Sequence, residues 1–335
     1  MRTSELDYEL PPELIAQTAA EPRESARLLV YDRASGAVRH RTFGELAEEL
    51  RDDDLLVVND TRVLPVRVRG RRSTGGRAEL LLLEPLPGGR WTALGRPYRK
   101  LREGEVVEAG GLRLHIRERL GEGEVVVEPE HAGSFQAALD EAGEMPLPPY
   151  ITTPLADPQR YQTVYAAHPG SAAAPTAGLH FGPAMWERLE AEGRVARVTL
   201  GVGLDTFRPV ASEELERHHI HSEPYAVAEP DAEGIAAALR DGRRVVAVGT
   251  TSVRVLETVF GERPGRLEGR TELFITPGFQ FRATGALITN FHLPRSSLLG
   301  LVMAFAGVEQ TRELYRTAIQ QRYRFYSLGD ASLLL

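Results

Sequence analysis

The chain has 335 residues, of which 42% are hydrophobic and 26% charged, and its net charge is −7. This composition indicates a globular protein of one large or two ordinary domains, and the lack of cysteine excludes disulfides, thiolate nucleophiles and cysteine-ligated metals. Because no run of about 18 apolar residues occurs and the first residues lack a secretory signal pattern, we expect a cytoplasmic protein without a membrane span.

The first 58 residues predict mixed helices and strands. Residues 9–17 (ELPPELIAQ) predict a short helix with prolines in its first turn, and residues 26–33 (ARLLVYDR) predict a strand. Residues 42–50 (TFGELAEEL) predict a helix with a capping box between Thr42 and Glu45. Residues 54–60 (DLLVVND) predict a buried strand that ends in polar residues.

The sequence from residue 61 to about residue 129 has a different pattern. Short segments such as 66–70 (VRVRG) and 112–120 (LRLHIRERL) alternate apolar and charged residues and are separated by glycine-rich turns. This pattern is typical of half-buried strands, and many short strands at close spacing indicate a small β-barrel. We therefore predict an inserted β-barrel domain over residues 60–148.

The remainder of the chain returns to α/β alternation. Residues 145–158 contain five prolines and are expected to form an extended linker. Residues 159–335 then alternate predicted strands and helices. The predicted fold class is a mixed α/β domain built from residues 1–59 and 149–335, interrupted by the barrel.

Positive charge is concentrated in one segment. Eleven cations lie between Arg62 and Arg102, against only Glu79 and Glu84, which gives a local charge of +9 and leaves −16 for the rest. Such an uneven distribution of charge is typical of a protein that binds a polyanion on one face. A solvated arginine-rich surface is the alternative.

Three predicted strands end in polar residues. In residues 245–257 (VVAVGTTSVRVLE), the strand runs into Gly249, Thr250, Thr251 and Ser252, where a helix begins. The free N–H groups of a helix start can hold a carboxylate or phosphate, and Arg254 could pair with a carboxylate in bidentate fashion. Ordinary N-capping by Thr251 or Ser252 is the alternative.

The other two strand ends have the same form. Since α/β sheets bind ligands at the carboxyl ends of their strands, these residues are candidates for one site, although turn formation would also explain Asn and Asp. They lie in residues 55–63 (LLVVNDTRV) and 286–299 (ALITNFHLPRSSLL) and are Asn59, Asp60, Thr61, Arg62, Asn290 and His292.

Residues 174–181 (APTAGLHF) place small residues just before a histidine. Pro175, Thr176 and Gly178 would leave the backbone open to a flat ligand, with His180 as a titratable group at its edge. A loop that starts a helix is the alternative. Three further histidines, His218, His219 and His221, do not have a familiar zinc spacing, and no metal site is predicted.

Taken together, these motifs resemble one family, the S-adenosylmethionine:tRNA ribosyltransferase-isomerases of queuosine biosynthesis. The resemblance covers essentially the whole chain and includes residues 8–17 (YELPPELIAQ), 21–33 (EPRESARLLVYDR), 147–151 (LPPYI), 160–166 (RYQTVYA), 198–210 (VTLGVGLDTFRPV) and 323–333 (YRFYSLGDASL), besides the segments above. Family members usually have a different residue at six positions, which here are Gly201, Asp205, Pro224, Gly285, Met303 and Leu328.

The resemblance implies an enzyme that transfers and isomerises the ribosyl moiety of S-adenosylmethionine onto the aminomethyl group of a pre-queuosine base at the tRNA wobble position. Adenine and methionine leave, and epoxyqueuosine-tRNA is formed. S-adenosylmethionine is consumed as a substrate, so no cofactor is implied. The implied partner is the anticodon stem-loop of tRNA, and a monomer is expected.

The reaction needs general acids and bases, and the candidates for these roles are His180, His221, His292 and Asp60. Tyr161, Tyr165 and Phe181 are candidates for stacking on a base. Arg71, Arg72, Arg99 and Lys100 of the barrel are candidates for tRNA contact. Two other classes of protein are alternatives: a non-catalytic tRNA-binding protein with a nucleotide-sensing α/β domain, and a metal hydrolase that uses His218 and His221.

Overall fold

The computed structural model describes residues 1–203, 210, 212–218, 220 and 222–335. The chain divides into two compact units. One, the α/β unit, contains Met1–Arg62, Pro149–His168 and Ala174–Leu335. The other, the barrel unit, contains Val63–Pro148 and Pro169–Ala173.

The helices and strands of the described residues follow the chain in this order: β1 (Arg27–Tyr31), β2 (Val38–Thr42), α1 (Leu46–Glu49), β3 (Leu55–Asn59), β4 (Thr61–Val63), β5 (Arg67–Arg72), β6 (Arg77–Leu86), β7 (Arg90–Arg96), β8 (Val106–Ala109), β9 (Leu112–Gly121), β10 (Glu124–Glu130), α2 (Phe135–Ala142), β11 (Gly143–Glu144), β12 (His168–Ser171), α3 (Pro183–Ala191), β13 (Val195–Leu200), β14 (Glu223–Ala226), α4 (Glu229–Arg240), β15 (Val245–Val248), α5 (Thr250–Val259), β16 (Glu268–Thr271), β17 (Ala286–Asn290), α6 (Ser297–Ala306), α7 (Val308–Gln320) and β18 (Ala331–Leu334).

A mixed sheet forms the centre of the α/β unit, with the strand order β16-β14-β13-β3-β15-β17-β18-β1-β2 among the described residues. Strands β13, β3, β15 and β17 are parallel, whereas β18 is antiparallel to β17 and parallel to β1. Strands β3, β15 and β17 are buried along their whole length, which explains their continuous apolar sequences. Their carboxyl ends lie at the same edge of the sheet.

An aromatic cluster covers one face of this sheet. Phe181 packs edge-on against Phe43 with ring centroids 4.9 Å apart, and Tyr165 lies on Trp186 at 4.2 Å. All four side chains are buried, and each buried aromatic ring contributes roughly 2 kcal/mol or more to folding. The predicted capping box is confirmed, since the Thr42 amide donates to Glu45 Oε2 over 2.7 Å.

One predicted helix is wrong. Residues 9–17 form only a 3-10 turn at Pro12–Leu14. The two prolines cannot donate backbone hydrogen bonds, and the chain then extends so that Ile15 bridges to Phe325.

The barrel unit is a closed antiparallel barrel. Strands β5, β6, β7, β10, β9 and β8 pair in that order, and β8 pairs with β5 to close the ring at Arg71↔Glu108 and Arg72↔Val107. A Cβ at Gly70 would lie 2.4 Å from the carbonyl oxygen of Glu108, so glycine permits the close approach at the seam. The predicted fold class, a mixed α/β domain with a small β-barrel, is confirmed.

Candidate functional site

A cleft of about 620 Å³ lies in the α/β unit where β15 and β17 end. This is the edge at which α/β sheets usually bind ligands. The described residues that line it are Tyr150, Ala174, Pro175, Thr176, Ala177, Val202, Gly249, Thr250, Thr251, Thr289, Asn290, Phe291, His292, Leu293, Ser296, Leu298, Tyr326 and Ser327.

The start of α5 forms one wall of the cleft. Gly249 has φ of +89°, a backbone conformation that favours glycine, and it directs the chain from β15 into the helix. Thr251 lines the cleft, and its Oγ1 is buried without a hydrogen-bond partner among the described residues. Ser252 instead donates to the carbonyl oxygen of Val248 over 2.9 Å. The free N–H groups at Thr250 and Thr251, with the unpaired hydroxyl, make this wall suitable for an anionic group.

Asn290 links the opposite wall to the interior. Its Nδ2 lies 3.2 Å from His180 Nε2 and 3.3 Å from the carbonyl oxygen of Tyr326, and its Oδ1 accepts from Thr176 Oγ1 over 2.8 Å. Since Nδ2 can only donate, His180 Nε2 accepts. His180 is therefore in the tautomer protonated on Nδ1.

The two described candidate histidines are both neutral in the free protein. Burial, together with the nearby Arg324, Arg160 and Arg23, lowers the pKa of His180 to about 3. Burial lowers the pKa of His292 to about 3 as well. His292 lines the cleft, with Nε2 2.8 Å from Thr289 Oγ1, whereas His180 lies behind Asn290. At pH 7 neither imidazole carries a second proton that it could donate to a substrate.

Within residues 174–181, the surroundings of the side chains change after Ala177. Pro175 and Thr176 line the cleft, whereas Phe181 belongs to the aromatic core. A Cβ at Gly178 would lie 1.9 Å from the hydroxyl oxygen of Tyr165, so this glycine makes room for a core tyrosine. The first half of the segment thus faces the cleft, whereas Gly178 and Phe181 pack in the core.

The aromatic side chains of the cleft differ from those singled out in the sequence. Tyr161 is fully buried and Tyr165 is packed in the core, and neither lines the cleft. Tyr150 and Tyr326 do, with ring centroids 4.8 Å apart. The Tyr150 hydroxyl bonds Ser327 Oγ at 2.5 Å, and burial raises the pKa of Tyr150 to about 12. Tyr150 and Tyr326 lie in two of the family motifs, LPPYI and YRFYSLGD. The sequence did not predict that they face the cleft, because a proline-rich segment or a loop has no helical or strand period from which the direction of a side chain follows.

Asp60 forms a second polar cluster at the same sheet edge. It follows β3, is 2% exposed, and accepts from Thr199 Oγ1 over 2.7 Å. Its Oδ2 lies 2.9 Å from Nδ1 of His168, whose side chain is 65% exposed. A buried carboxylate thus orients an exposed imidazole. Sequence reasoning missed His168, because it is separated from Asp60 by 108 residues.

The neighbours of Asp60 have structural contacts. Asn59 donates to the carbonyl oxygen of Leu200 over 3.1 Å and accepts from the Leu200 amide over 3.0 Å, which ties β3 to β13. Thr61 is buried, with its amide 3.2 Å from Asn59 Oδ1. Arg62 is exposed. A ligand role for these three residues stays a prediction.

Arg254 is buried and bonded to other residues of the α/β unit. It is 6% exposed, forms an ion pair with Glu223, and donates to the carbonyl oxygens of Leu273 and Thr271 over 3.0 and 3.2 Å. The side chain is not among the described residues that line the cleft. In this structure, therefore, the carboxylate that Arg254 pairs with is that of Glu223.

The candidate tRNA contacts lie on the barrel unit. Arg71 and Arg72 are on β5, and Arg99 and Lys100 are on the 3-10 turn Tyr98–Lys100. Arg72 Nη1 donates to the Lys100 carbonyl oxygen at 3.4 Å, so these two residues are neighbours. Arg99 and Lys100 are exposed.

Several sequence candidates lie outside the described residues, namely His219, His221 and Asp205. Within the described part of the chain, no group of three His, Cys, Asp or Glu side chains is placed to hold a metal ion. Of the family departures that are described, Gly201, Pro224, Gly285, Met303 and Leu328 are not among the cleft-lining residues.

These features define an α/β protein with a strand-edge cleft suited to a small polar ligand, in one chain with a closed antiparallel barrel. No helix in the described ranges combines the length and the apolar character needed to cross a bilayer. The chain belongs to the family described as queuosine biosynthesis protein, whose model matches residues 3–334.

Curated relatives of this family match the chain from end to end. The S-adenosylmethionine:tRNA ribosyltransferase-isomerase of Symbiobacterium thermophilum is 52% identical over 343 residues, covering 100% of both chains. The enzyme of the same name from Rubrobacter xylanophilus is 54% identical over 338 residues, covering 100% of this chain and 98% of the relative. The crystal structure of an S-adenosylmethionine tRNA ribosyltransferase from Thermotoga maritima is 37% identical, with a TM-score of 0.57 and coverage of 99% of this chain and 100% of that chain.

Proposed function

We propose that this protein is an S-adenosylmethionine:tRNA ribosyltransferase-isomerase, and hence a transferase of queuosine biosynthesis. The proposed reaction moves the ribosyl moiety of S-adenosylmethionine onto the aminomethyl group of the pre-queuosine base at the tRNA wobble position, with release of adenine and methionine. The observation that carries this proposal is the family match over residues 3–334, with relatives of that name above 50% identity along the whole chain.

The cleft supports a binding mode for S-adenosylmethionine. It is lined by apolar side chains with a few polar groups, which is typical of small-molecule sites. We assign the methionine carboxylate to the start of α5, where the amides of Thr250 and Thr251 and the unpaired Thr251 hydroxyl offer donors. The nucleoside would then lie against Pro175 and Thr176, next to Asn290.

Tyr150 and Tyr326 are the proposed aromatic contacts of the site. They line the cleft, and their ring centroids are 4.8 Å apart. An aromatic face gives a planar base a large apolar contact at a low cost in side-chain entropy. We therefore transfer the stacking role from Tyr161, Tyr165 and Phe181 to these two residues.

The proton transfers require a base for the aminomethyl group, which is a cation at neutral pH and must lose a proton before it attacks. We assign this step to His168, oriented by the buried carboxylate of Asp60 at 2.9 Å. A base within reach of its proton and held by a carboxylate is a recurring arrangement in enzymes. His292 also lines the cleft, but burial lowers its pKa to about 3, so its imidazole is too weak a base for this step.

The tRNA partner is proposed to be the anticodon stem-loop, because an unstacked loop base is the form of RNA that enters a protein pocket most easily. The exposed cations Arg99 and Lys100 on the barrel unit, with Arg71 and Arg72, would neutralise phosphates. A cytoplasmic location and a monomeric state stay predictions from the sequence.

Release of adenine tests the proposal directly. The protein is incubated with S-adenosylmethionine and pre-queuosine tRNA, after dialysis against a chelator, and free adenine is measured by chromatography. We expect adenine in proportion to modified tRNA, and none when tRNA is omitted. Binding of tRNA without adenine would favour the non-catalytic tRNA-binding alternative, and activity that returned only with added metal would contradict the absence of a cofactor.

A further inference from the structure

An arginine-lined groove lies on the α/β unit, on the far side of His180 from the cleft. An open groove of about 760 Å³ is bordered by Arg27, Arg322 and Arg324. It shares Ala19 and Ala20 with a recess of about 210 Å³ that is bordered by Arg23 and Arg160. We call the two together, with their five arginines, the arginine groove.

The arginine groove has an excess of positive charge. The carboxylates among its described lining residues are Glu21 and Asp330. Glu21 is 76% exposed and pairs with Arg160 Nε at 3.1 Å. Asp330 is 2% exposed, its two oxygens accept the backbone amides of Arg27 and Arg324 over 3.0 and 2.8 Å, and its Oδ1 also lies 3.5 Å from Arg324 Nη2. Two carboxylates, each of them paired with one arginine, therefore face five arginines.

The cations are also crowded. The guanidinium of Arg23 donates to the carbonyl oxygens of Leu179 and Gln159, over 3.0 and 3.4 Å. Burial and the neighbouring charge of Arg160 lower the pKa of Arg23. After burial, the charges of Arg324, Arg160 and Arg23 are what lowers the pKa of His180. Like charges held this close repel each other unless an anion lies between them.

Two of the guanidinium groups are held in fixed positions in which they could bind such an anion. Arg160 Nη1 is buried without a hydrogen-bond partner among the described residues, although Nη2 donates to Ala20. The guanidinium of Arg27 lies 3.7 Å from the ring centroid of Tyr323 and donates to Gln321 over 2.7 Å. Stacked, hydrogen-bonded guanidinium groups lose little entropy when they bind a phosphate.

The arginine groove borders the cleft through one layer of side chains. Ser327 lines both the cleft and the recess. His180 lines the recess and accepts a hydrogen bond from Asn290, which lines the cleft. A strand bound in the groove would therefore pass next to the cleft.

We propose that the arginine groove binds the phosphodiester groups of the RNA strand next to the nucleotide that enters the cleft. This inference rests on the proposed function. Arginine is the side chain best suited to phosphate, because its planar donors match the phosphate oxygens. Free phosphate would use the same donors, and the experiment separates the two sources.

The test measures binding of an anticodon stem-loop RNA as a function of salt concentration. Arg322→Asn and Arg27→Gln are compared with Arg240→Gln, an exposed arginine at the end of α4. Asparagine tolerates the φ of +54° at position 322, so the fold is retained, which thermal unfolding checks. Each phosphate contact contributes about 0.7 to the slope of log K against log salt for single strands. We expect each groove variant to lower the slope by about that amount and the control to leave it unchanged.

Failure of this inference differs from failure of the proposed function. If the wild-type chain releases adenine but both groove variants keep the wild-type slope, the groove does not bind RNA. If the wild-type chain releases no adenine but the slopes fall, the proposed function fails and the groove assignment is retained. Calorimetric titration with inorganic phosphate is the third arm: weaker phosphate binding with an unchanged RNA slope would overturn the RNA assignment.

Discussion

The side-chain amide of Asn290 donates to His180 Nε2 over 3.2 Å, and the surroundings of the amide fix this direction. Two carbonyl oxygens, of Tyr326 and Asp330, lie 3.3 and 3.5 Å from the same nitrogen. An amide oxygen in that place would face two carbonyl oxygens, neither of which can donate. The Thr176 hydroxyl satisfies the amide oxygen from the cleft side. Asn290 thus connects the cleft wall to a buried imidazole.

Replacement of Asn290 by Asp tests this arrangement. The substitution keeps the shape but places a carboxyl oxygen against the carbonyl oxygens of Tyr326 and Asp330 in a buried site. We expect the free energy of unfolding to fall by about 3 kcal/mol, since several buried polar groups lose their partner. Thr176→Val, which removes one donor to the same side chain, should cost about 1 kcal/mol. Urea unfolding measures both, and an Asn290→Asp protein as stable as the wild type would contradict the amide orientation.

The neutral histidines predict how stability depends on pH. The pKa of His180 and of His292 is about 3 in the folded protein, below the ordinary value near 6.5. The unfolded chain therefore binds more protons between these values, so stability is fully present above pH 6.5 and falls as the pH is lowered. Each histidine contributes about 1.4 kcal/mol per pH unit at most, or about 2 kcal/mol between pH 6.5 and 5.

The histidine contribution is isolated by substitution. His180→Gln and His292→Gln should each flatten the decline in unfolding free energy between pH 6.5 and 5, a range in which most carboxylates are still ionised. Chemical denaturation at a series of pH values gives the comparison. A variant with the wild-type slope would show that folding does not lower the pKa of its histidine.

The adjacent residues Thr251 and Ser252 allow a matched comparison of a hydroxyl that is proposed to bind the ligand with one that bonds the backbone. The Thr251 hydroxyl is buried and unpartnered among the described residues, whereas Ser252 donates to Val248 over 2.9 Å. We expect Thr251→Val to weaken S-adenosylmethionine binding about tenfold without loss of stability, because a ligand bond is removed and no internal one. Ser252→Ala should instead cost about 1 kcal/mol of stability and leave the affinity unchanged. Calorimetry and urea unfolding test both, and the reverse pattern would contradict the ligand assignment.

The strand ends show how far sequence reasoning reaches. The apolar runs of β3, β15 and β17 predicted strands of an α/β domain, and in the structure their shared direction brings their polar ends to one edge. Two of these ends line the cleft, but Asn59 is used to tie β3 to β13. The sequence contains no signal for this difference, because it depends on which strand lies next to β3.

Long-range partners account for the other differences. Arg254 was a candidate for a substrate carboxylate, but Glu223 of β14 occupies it. Strand β18 was not predicted, since a four-residue segment (ASLL) has no distinguishing period. It lies between β17 and β1, and its pairing with β1 joins the two ends of the chain. Such contacts are set by the packing of the whole unit rather than by local sequence.

Charge reversal on the barrel unit tests the tRNA contact. Arg71→Glu and Lys100→Glu each replace a cation of the basic segment, whereas Arg117→Ser removes a charge already paired with Glu128. We expect each reversal to weaken tRNA binding about tenfold and to flatten its salt dependence. The affinity for S-adenosylmethionine alone should not change. If tRNA binding were the same in the reversed variants and in Arg117→Ser, the barrel cations would have no part in the contact.

The last prediction concerns Asp60 and His168, whose side chains are 2.9 Å apart. If the carboxylate acts by orienting the imidazole, removing either group disables the same step. We expect His168→Gln and Asp60→Asn each to lower kcat about a hundredfold, the lower range for general acid–base catalysis. The double variant should be no worse than the single ones, because residues that act as a unit are not additive. Thr199→Val, which removes the second donor to Asp60, should have a smaller effect.

The readout is single-turnover release of adenine across a range of pH. A base must be unprotonated before it can accept a proton and therefore contributes a limb to the pH–rate profile, and this limb should disappear in His168→Gln. A purely structural pair would instead lower stability and leave the shape of the profile unchanged. Additive losses of kcat in the double variant would likewise separate the two residues and leave Asp60 to act without His168.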